Sequence, residues 1–148
     1  MTGAYSFTVY GTAAPQGSKR HVGNGVMIES SNRVRPWRQD VRFAALEKRP
    51  PDWDMTKPMG LVLEFRFLRP QSHFVTKKGV SYLKPKAPAQ PVSARLGDID
   101  KLSRAVLDAL TGIAYQDDRQ VIALEASKCY LDDDRSTPCT FIAIAPCV

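Results

Sequence analysis

Four carboxylates stand at spacings that could do chemistry. Asp98 and Asp100 open the run Gly97 to Leu110, and Asp117 and Asp118 follow shortly after it. Carboxylates held close together repel one another unless a cation or shared protons relieve them, and a divalent metal is the simplest relief. Carboxylate oxygens suit Mg²⁺, which would polarise a phosphodiester and lower the pKa of a bound water that attacks phosphorus. A nearby Lys or Arg would stabilise the charge that develops in the transition state. Asp98 also has a plainer use, because an aspartate at a helix start caps free backbone N–H groups and complements the dipole. Asp-x-Asp alone does not separate a metal centre from an acidic surface.

The elements that must position these groups follow from periodicity. From Ile99, residues Leu102, Val106, Leu107, Ala109 and Leu110 gather on one side of a helix, which should face a core. Asp100, Arg104 and Asp108 succeed one another on the opposite ridge, with Lys101 nearby, and Asp108 reads as an ion-pair partner of Arg104. A short return loop brings Asp117 and Asp118 near the C-terminus of this helix rather than its start, so local geometry alone does not place Asp118 beside Asp98; it would approach only if the loop Ala114 to Gln116 doubles back or the next strand runs antiparallel along the helix toward its start. A strand is expected over Val121 to Tyr130, and another from Pro138 to Ile144. Asp132, Asp133 and Asp134 between them read as a solvated hairpin turn.

Upstream, Tyr5 to Tyr10 reads as a strand ended by Gly11. Thr12 to Asn24 is a loop with Pro15, Gly17, Gly23 and the basic pair Lys19 and Arg20, either a solvated turn or a phosphate contact. Val26 to Glu29 suggests a short strand, with Ser30, Ser31 and Asn32 as a turn and helix cap. Val34, Trp37, Val41, Ala44 and Ala45 predict a helix over Val34 to Glu47 with Arg35, Arg38, Arg42 and Lys48 elsewhere, either the basic outer face of a helix packed over a sheet or a direct DNA contact. Strict alternation from Met59 to Leu68 predicts a strand with Leu61, Leu63, Phe65 and Phe67 on one face. Residues 70–96 carry Pro70, Pro85, Pro88, Pro91 and Gly79, and read as a flexible basic loop without regular elements that orders on nucleic acid.

Composition narrows the partners. The 148 residues and 43% hydrophobic share fit one α/β domain with its own core, and the net charge of +6 points to polyanions. From Phe65 to Gly97 there is no acidic residue, while Arg66, Arg69, Lys77, Lys78, Lys84, Lys86 and Arg95 all lie there. Phosphate-backbone contact follows naturally, with a solvated basic loop as the alternative. Cys129, Cys139 and Cys147 form no C-x-x-C pair, which argues against a disulfide framework or a zinc site and for a reducing cytoplasm. His73, alone outside the N-terminal loop that holds His21, reads as a surface residue. No apolar run is long enough to span a membrane, and no signal peptide is recognisable.

Three runs then carry a resemblance: Asp98-Ile99-Asp100-Lys101-Leu102, Leu107-Asp108-Ala109-Leu110-Thr111-Gly112, and Asp117-Asp118-Arg119-Gln120-Val121. Together they resemble the RusA family of Holliday-junction resolvases, small endonucleases often carried by phages and prophages. The match is strongest from Asp98 to Lys128. The resemblance implies an α+β protomer with a mixed β-sheet flanked by two helices, a homodimer, and Mg²⁺-dependent (or Mn²⁺-dependent) cutting of paired strands at a four-way DNA junction, with no small-molecule cofactor. It implies that Asp98, Asp100 and Asp118 are the catalytic and metal-binding residues, with Asp117 supporting them. It also places Arg104 where the family commonly has Lys. Arg binds phosphate bidentately but does not deprotonate, so a positioning or charge-stabilising role survives and a proton-transfer role does not. Gly97 stands where Pro is common, which suggests a more flexible entry to the helix. Lys19, Arg20, Lys77, Lys78, Lys84, Lys86, Arg95, Lys101 and Lys128 are the expected DNA contacts. Two other readings remain at this point: a non-catalytic basic nucleic-acid-binding module, and a metal-dependent nuclease of other branched DNA.

Overall fold

Alternation of large apolar side chains along two central strands decides the architecture. In the computed structural model, β4 (Met59–Phe67) turns Met59, Leu61, Leu63, Phe65 and Phe67 to one face, each 3% exposed or less. β8 (Cys139–Pro146) adds Ile142 and Ile144 to that face, and β1 (Tyr5–Tyr10) adds Tyr5, Phe7 and Val9. With β7 (Val121–Tyr130) these strands form a four-stranded sheet of order β1-β8-β4-β7. The description covers residues 3–17, 19–21, 27–29, 32–132 and 136–147.

The sheet is mixed. β8 pairs antiparallel with both β1 and β4, whereas β4 and β7 run parallel. A parallel pair needs a crossover, and α2 (Ile99–Leu110) supplies it. α1 (Val34–Lys48) packs beside α2 on the same face. The result is a single-domain α+β fold with two helices and a mixed sheet. No helix among the described residues is long and apolar enough to cross a membrane.

Several sequence expectations change here. Residues 70–96 are not without regular elements: β5 (Phe74–Lys77) and β6 (Val80–Leu83) form an antiparallel hairpin, because Lys78 and Gly79 both take positive φ, 52° and 76°, as a two-residue turn of right-handed twist requires. Within Thr12 to Asn24, Ala13 and Ala14 are buried in the core, so this half is no solvated turn. Farther on, β2 (Lys19–His21) pairs with β3 (Met27–Glu29). Arg33, not Asn32, occupies the N-cap of α1 and gives no side-chain cap; Ser30 and Ser31 lie outside the described residues. β7 and β8 are not hairpin neighbours, since β4 lies between them, and Asp133 and Asp134 fall outside the described residues.

The buried stripe of α2 is Leu102, Ser103, Ala105, Val106, Ala109 and Leu110. Ile99, expected in the core, is 38% exposed.

Candidate active site

α2 is the axis of the site, and the candidate residues fall at its two ends. At the N-terminal end Asp98 holds the N-cap position, yet its side chain makes no capping hydrogen bond. The capping explanation for this carboxylate therefore fails on geometry. Among the described residues its one ion pair is a loose 3.8 Å contact between Oδ2 and Lys101 Nζ, and the Asp98 side chain remains 68% exposed. Asp100 and Arg104 are exposed on the following turns.

Backbone shape sets that end. Gly97 has φ +96°, and a Cβ there would lie 2.8 Å from Pro15 Cβ and Cγ. The glycine is thus a required close approach rather than a flexible entry. The early loop is sewn to the same turn, with Gln16 N–H donating to Lys101 O at 3.0 Å and Arg38 Nη1 donating to Gln16 Oε1 at 2.9 Å. From the sheet side Lys128 Nζ donates to Gly97 O at 3.1 Å. Lys128, expected as a DNA contact, is engaged here, though its charge remains one residue from Asp98.

The C-terminal end is pinned more densely. Arg42 Nη1 donates to Ala109 O at 2.8 Å and Thr111 O at 3.1 Å, Arg49 Nη1 to Ile113 O at 3.1 Å, and Trp53 Nε1 to Ala114 O at 2.8 Å. Three arginines of the α1 region, Arg38, Arg42 and Arg49, thus act as clamps on carbonyl and amide oxygens. Pattern reading took α1's cations for a solvated face, and nothing in their spacing distinguishes the two. Tyr115 is fully buried, donates its hydroxyl to Leu107 O at 2.8 Å, and has a pKa pushed far above the ordinary tyrosine value by burial, with Asp118 and Asp108 adding to it.

A capping box then fixes Asp117. Its Oδ1 accepts from Arg119 N–H at 2.9 Å while Gln120 Oε1 accepts from the Asp117 N–H, and Gln120 Nε2 donates to Met55 O and Lys57 O. Asp118 makes no such bond among the described residues. It lines an open hollow with Asp108, Thr111 and Asp117. Asp108, read from the sequence as facing Arg104, thus contributes to this second acidic end.

The two ends are far apart. Ten residues of helix between Asp98 and Asp108 span about 15 Å. β7 starts beside the hollow and returns along α2 until Lys128 reaches Gly97, so Asp118 stays at the opposite end from Asp98 and Asp100. Among the described residues no group of three or more His, Cys, Asp or Glu is placed to hold a metal ion. A single protomer does not fit an ion held by all three aspartates.

The cations lie toward the Asp98 end. Arg69 packs its guanidinium 4.4 Å over the Tyr130 ring, His73 meets the same ring edge-on at 5.6 Å, and Arg69 donates to Pro88 O at 2.7 Å. Tyr130 is two residues from Lys128, so these contacts root the hairpin at the Asp98 end of the molecule. Lys77, Lys78, Lys84, Lys86 and Arg95 are exposed along this segment, as is Lys101 on α2. Lys19 and Arg20 lie on β2, and their side chains are outside the described residues.

Over residues 10–144 the chain matches the family described as endodeoxyribonuclease RusA. It is also 30% identical, over 131 residues, to the uncharacterized protein YqaN of Bacillus subtilis strain 168, a match covering 87% of this chain and 89% of that protein. With nearly its whole length matched, including both ends of α2, this chain belongs to the RusA endodeoxyribonuclease family.

Proposed function

We propose that this chain is a divalent-metal-dependent, structure-selective DNA endonuclease that resolves four-way junctions as a homodimer by paired phosphodiester hydrolysis. The observation that carries the reading is the Asp98 carboxylate, which sits at a helix start without capping it, beside Asp100, Lys101 and the rooted basic hairpin. A carboxylate kept exposed, with only a loose contact to Lys101, in a protein of net charge +6 is what a hard-cation ligand requires. The non-catalytic alternative has the aspartates cap a helix and counter nearby Arg; Asp117 does both, capping and pairing with Arg119 at 3.9 Å, whereas Asp98 does not cap.

The separation of the aspartates supports a site shared between copies. A two-fold axis that sets α2 antiparallel to its counterpart brings the Asp98 end of one protomer toward the Asp118 end of the other, twice. Asp98 and Asp100 would then hold Mg²⁺ or Mn²⁺ together with the partner's Asp118. Such an ion would supply polarisation of the phosphodiester and an activated water. Arg104, one turn on from Asp100, binds and orients a phosphate oxygen without exchanging a proton. Asp117 stays in its capping box and holds Asp118 in place. Lys77, Lys78, Lys84, Lys86, Arg95 and Lys101 neutralise backbone phosphates, so affinity falls steeply with salt. Two symmetric sites match the two cuts that a junction needs.

Cleavage of a four-way junction, compared with duplex, fork and single strands of the same sequence with and without Mg²⁺, tests the substrate. Asp100→Asn should lose cutting by at least about a hundredfold while still binding the junction. Equal cutting by Asp100→Asn and wild type would overturn the reading, and preference for forks would move the substrate while keeping the chemistry.

A further inference from the structure

We propose that one face of the β5–β6 hairpin is a stacking platform, centred on Tyr82, for a DNA base that lies outside a duplex stack. The inference rests on the nuclease reading above and names what the hairpin recognises in a branched substrate besides its phosphates. The antiparallel register pairs Val75 with Tyr82 and Lys77 with Val80, so these four side chains share a face. Tyr82 and Val80 on that face are each half exposed. No residue from Phe74 to Leu83 belongs to the hydrophobic core, so the apolar side chains of the hairpin are not there to bury the body of the fold.

A lone hairpin is marginal in water, and this one is held from its root. Lys84 N–H donates to His73 O at 2.8 Å and continues the ladder below the last strand pair, Phe74 with Leu83. His73 and Arg69 then pack on Tyr130. Four residue pairs carry the turn about 13 Å beyond this root. The platform is thus presented on a fixed arm that starts at the Asp98 end of the molecule.

Charge selects the occupant. Lys77 stands on the platform face, Lys78 in the turn and Lys84 just past Leu83, and the sequence from Phe65 to Gly97 has no acidic residue. An exposed aromatic ring among cations fits a nucleobase, whose flat face stacks on the ring while the lysines neutralise the phosphates on either side. In continuous duplex each base face is covered by its neighbours, so the ring has nothing to cover. A branch point or an unpaired nucleotide interrupts the stack and opens such a face. Phosphate contacts alone do not tell a junction from a duplex; a ring that needs an open base face does.

The test reads binding without metal, so that cutting does not enter. The probes are a four-way junction, a duplex of the same sequence, and that duplex with one unpaired 2-aminopurine. Tyr82→Ile keeps a β-forming side chain opposite Val75 but removes the ring, and Tyr82→Phe keeps the ring. Wild type and Tyr82→Phe should quench the 2-aminopurine, and Tyr82→Ile should not. Tyr82→Ile should bind the junction and the unpaired-base duplex about tenfold more weakly, with plain duplex affinity changed by less than about twofold. Absence of quenching by wild type, unchanged junction affinity in Tyr82→Ile, or an equal loss on plain duplex overturns the proposal. So does a Tyr82→Ile protein that sediments as a smaller species than wild type with its DNA affinities unchanged, since the ring then meets another copy of the chain. If the platform fails while wild type still cuts junctions in Mg²⁺, the nuclease reading stands. Quenching that depends on Tyr82 in a protein that cuts no DNA sinks that reading and leaves the platform.

Discussion

The two ends of α2 carry the same residue type and treat it differently. At the C-terminal end the loop 111–120 is tied by Arg42, Arg49, Trp53 and Gln120, and Asp117 is consumed in a capping box. At the N-terminal end the backbone is fixed by Gly97 against Pro15, while Asp98 and Asp100 are left exposed. One end is built to hold a carboxylate in a set place, and the other to leave carboxylates available. Availability without a third partner in reach makes sense when the third partner comes from another molecule.

Three substitutions sharpen this contrast. Gly97→Ala should cost most, about 2–3 kcal/mol, because the Cβ meets Pro15 at 2.8 Å and φ +96° disfavours any side chain. A fall in melting temperature checks it, and an unchanged value would show that the N-terminal end is pliable. Arg42→Ala removes the two hydrogen bonds that Nη1 makes to Ala109 O in the last turn of α2 and to Thr111 O at its C-cap, and should cost about 1–2 kcal/mol. Its signature is faster hydrogen exchange in 109–118 with no change at 97–101; loosening of both ends would break the contrast.

Tyr115→Phe should cost least, about 1 kcal/mol, since Thr111 Oγ1 also donates to Leu107 O and keeps that carbonyl paired. The substitution also changes the alkaline limb of stability. The buried tyrosine stays neutral where its unfolded counterpart ionises, so its share of stability is fully present below about pH 10 and lost as pH rises above that. Stability measured by denaturation between pH 9 and 11 should fall less steeply in Tyr115→Phe than in wild type.

Much of the fold was legible because its strongest signals are local. Strict alternation from Met59 and the helical spacing after Ile99 gave β4 and α2 nearly to the residue. The hairpin at 74–83 was hidden because its turn uses Lys78 at positive φ, where pattern reading looks for Asn-Gly. The arginine clamps were hidden because a guanidinium bound to a distant carbonyl has the same sequence spacing as one in water. At the site, type and spacing singled out the aspartates, while helix length left open whether they meet within one chain. In the proposed shared site, which copy supplies the third carboxylate would be a property of two surfaces, and no spacing within one sequence encodes it directly.

The central claim is that each active centre draws Asp98 and Asp100 from one protomer and Asp118 from its partner. Mixing Asp100→Asn with Asp118→Asn protein, each inactive alone, tests it most directly. In a mixed dimer one centre then carries both substitutions and the other carries neither, so junction cutting should reappear at up to about a quarter of the wild-type rate, as single-strand nicks. If all three aspartates act within one chain, every centre keeps one defect. Continued absence of cutting in mixtures shown to exchange subunits would contradict the account.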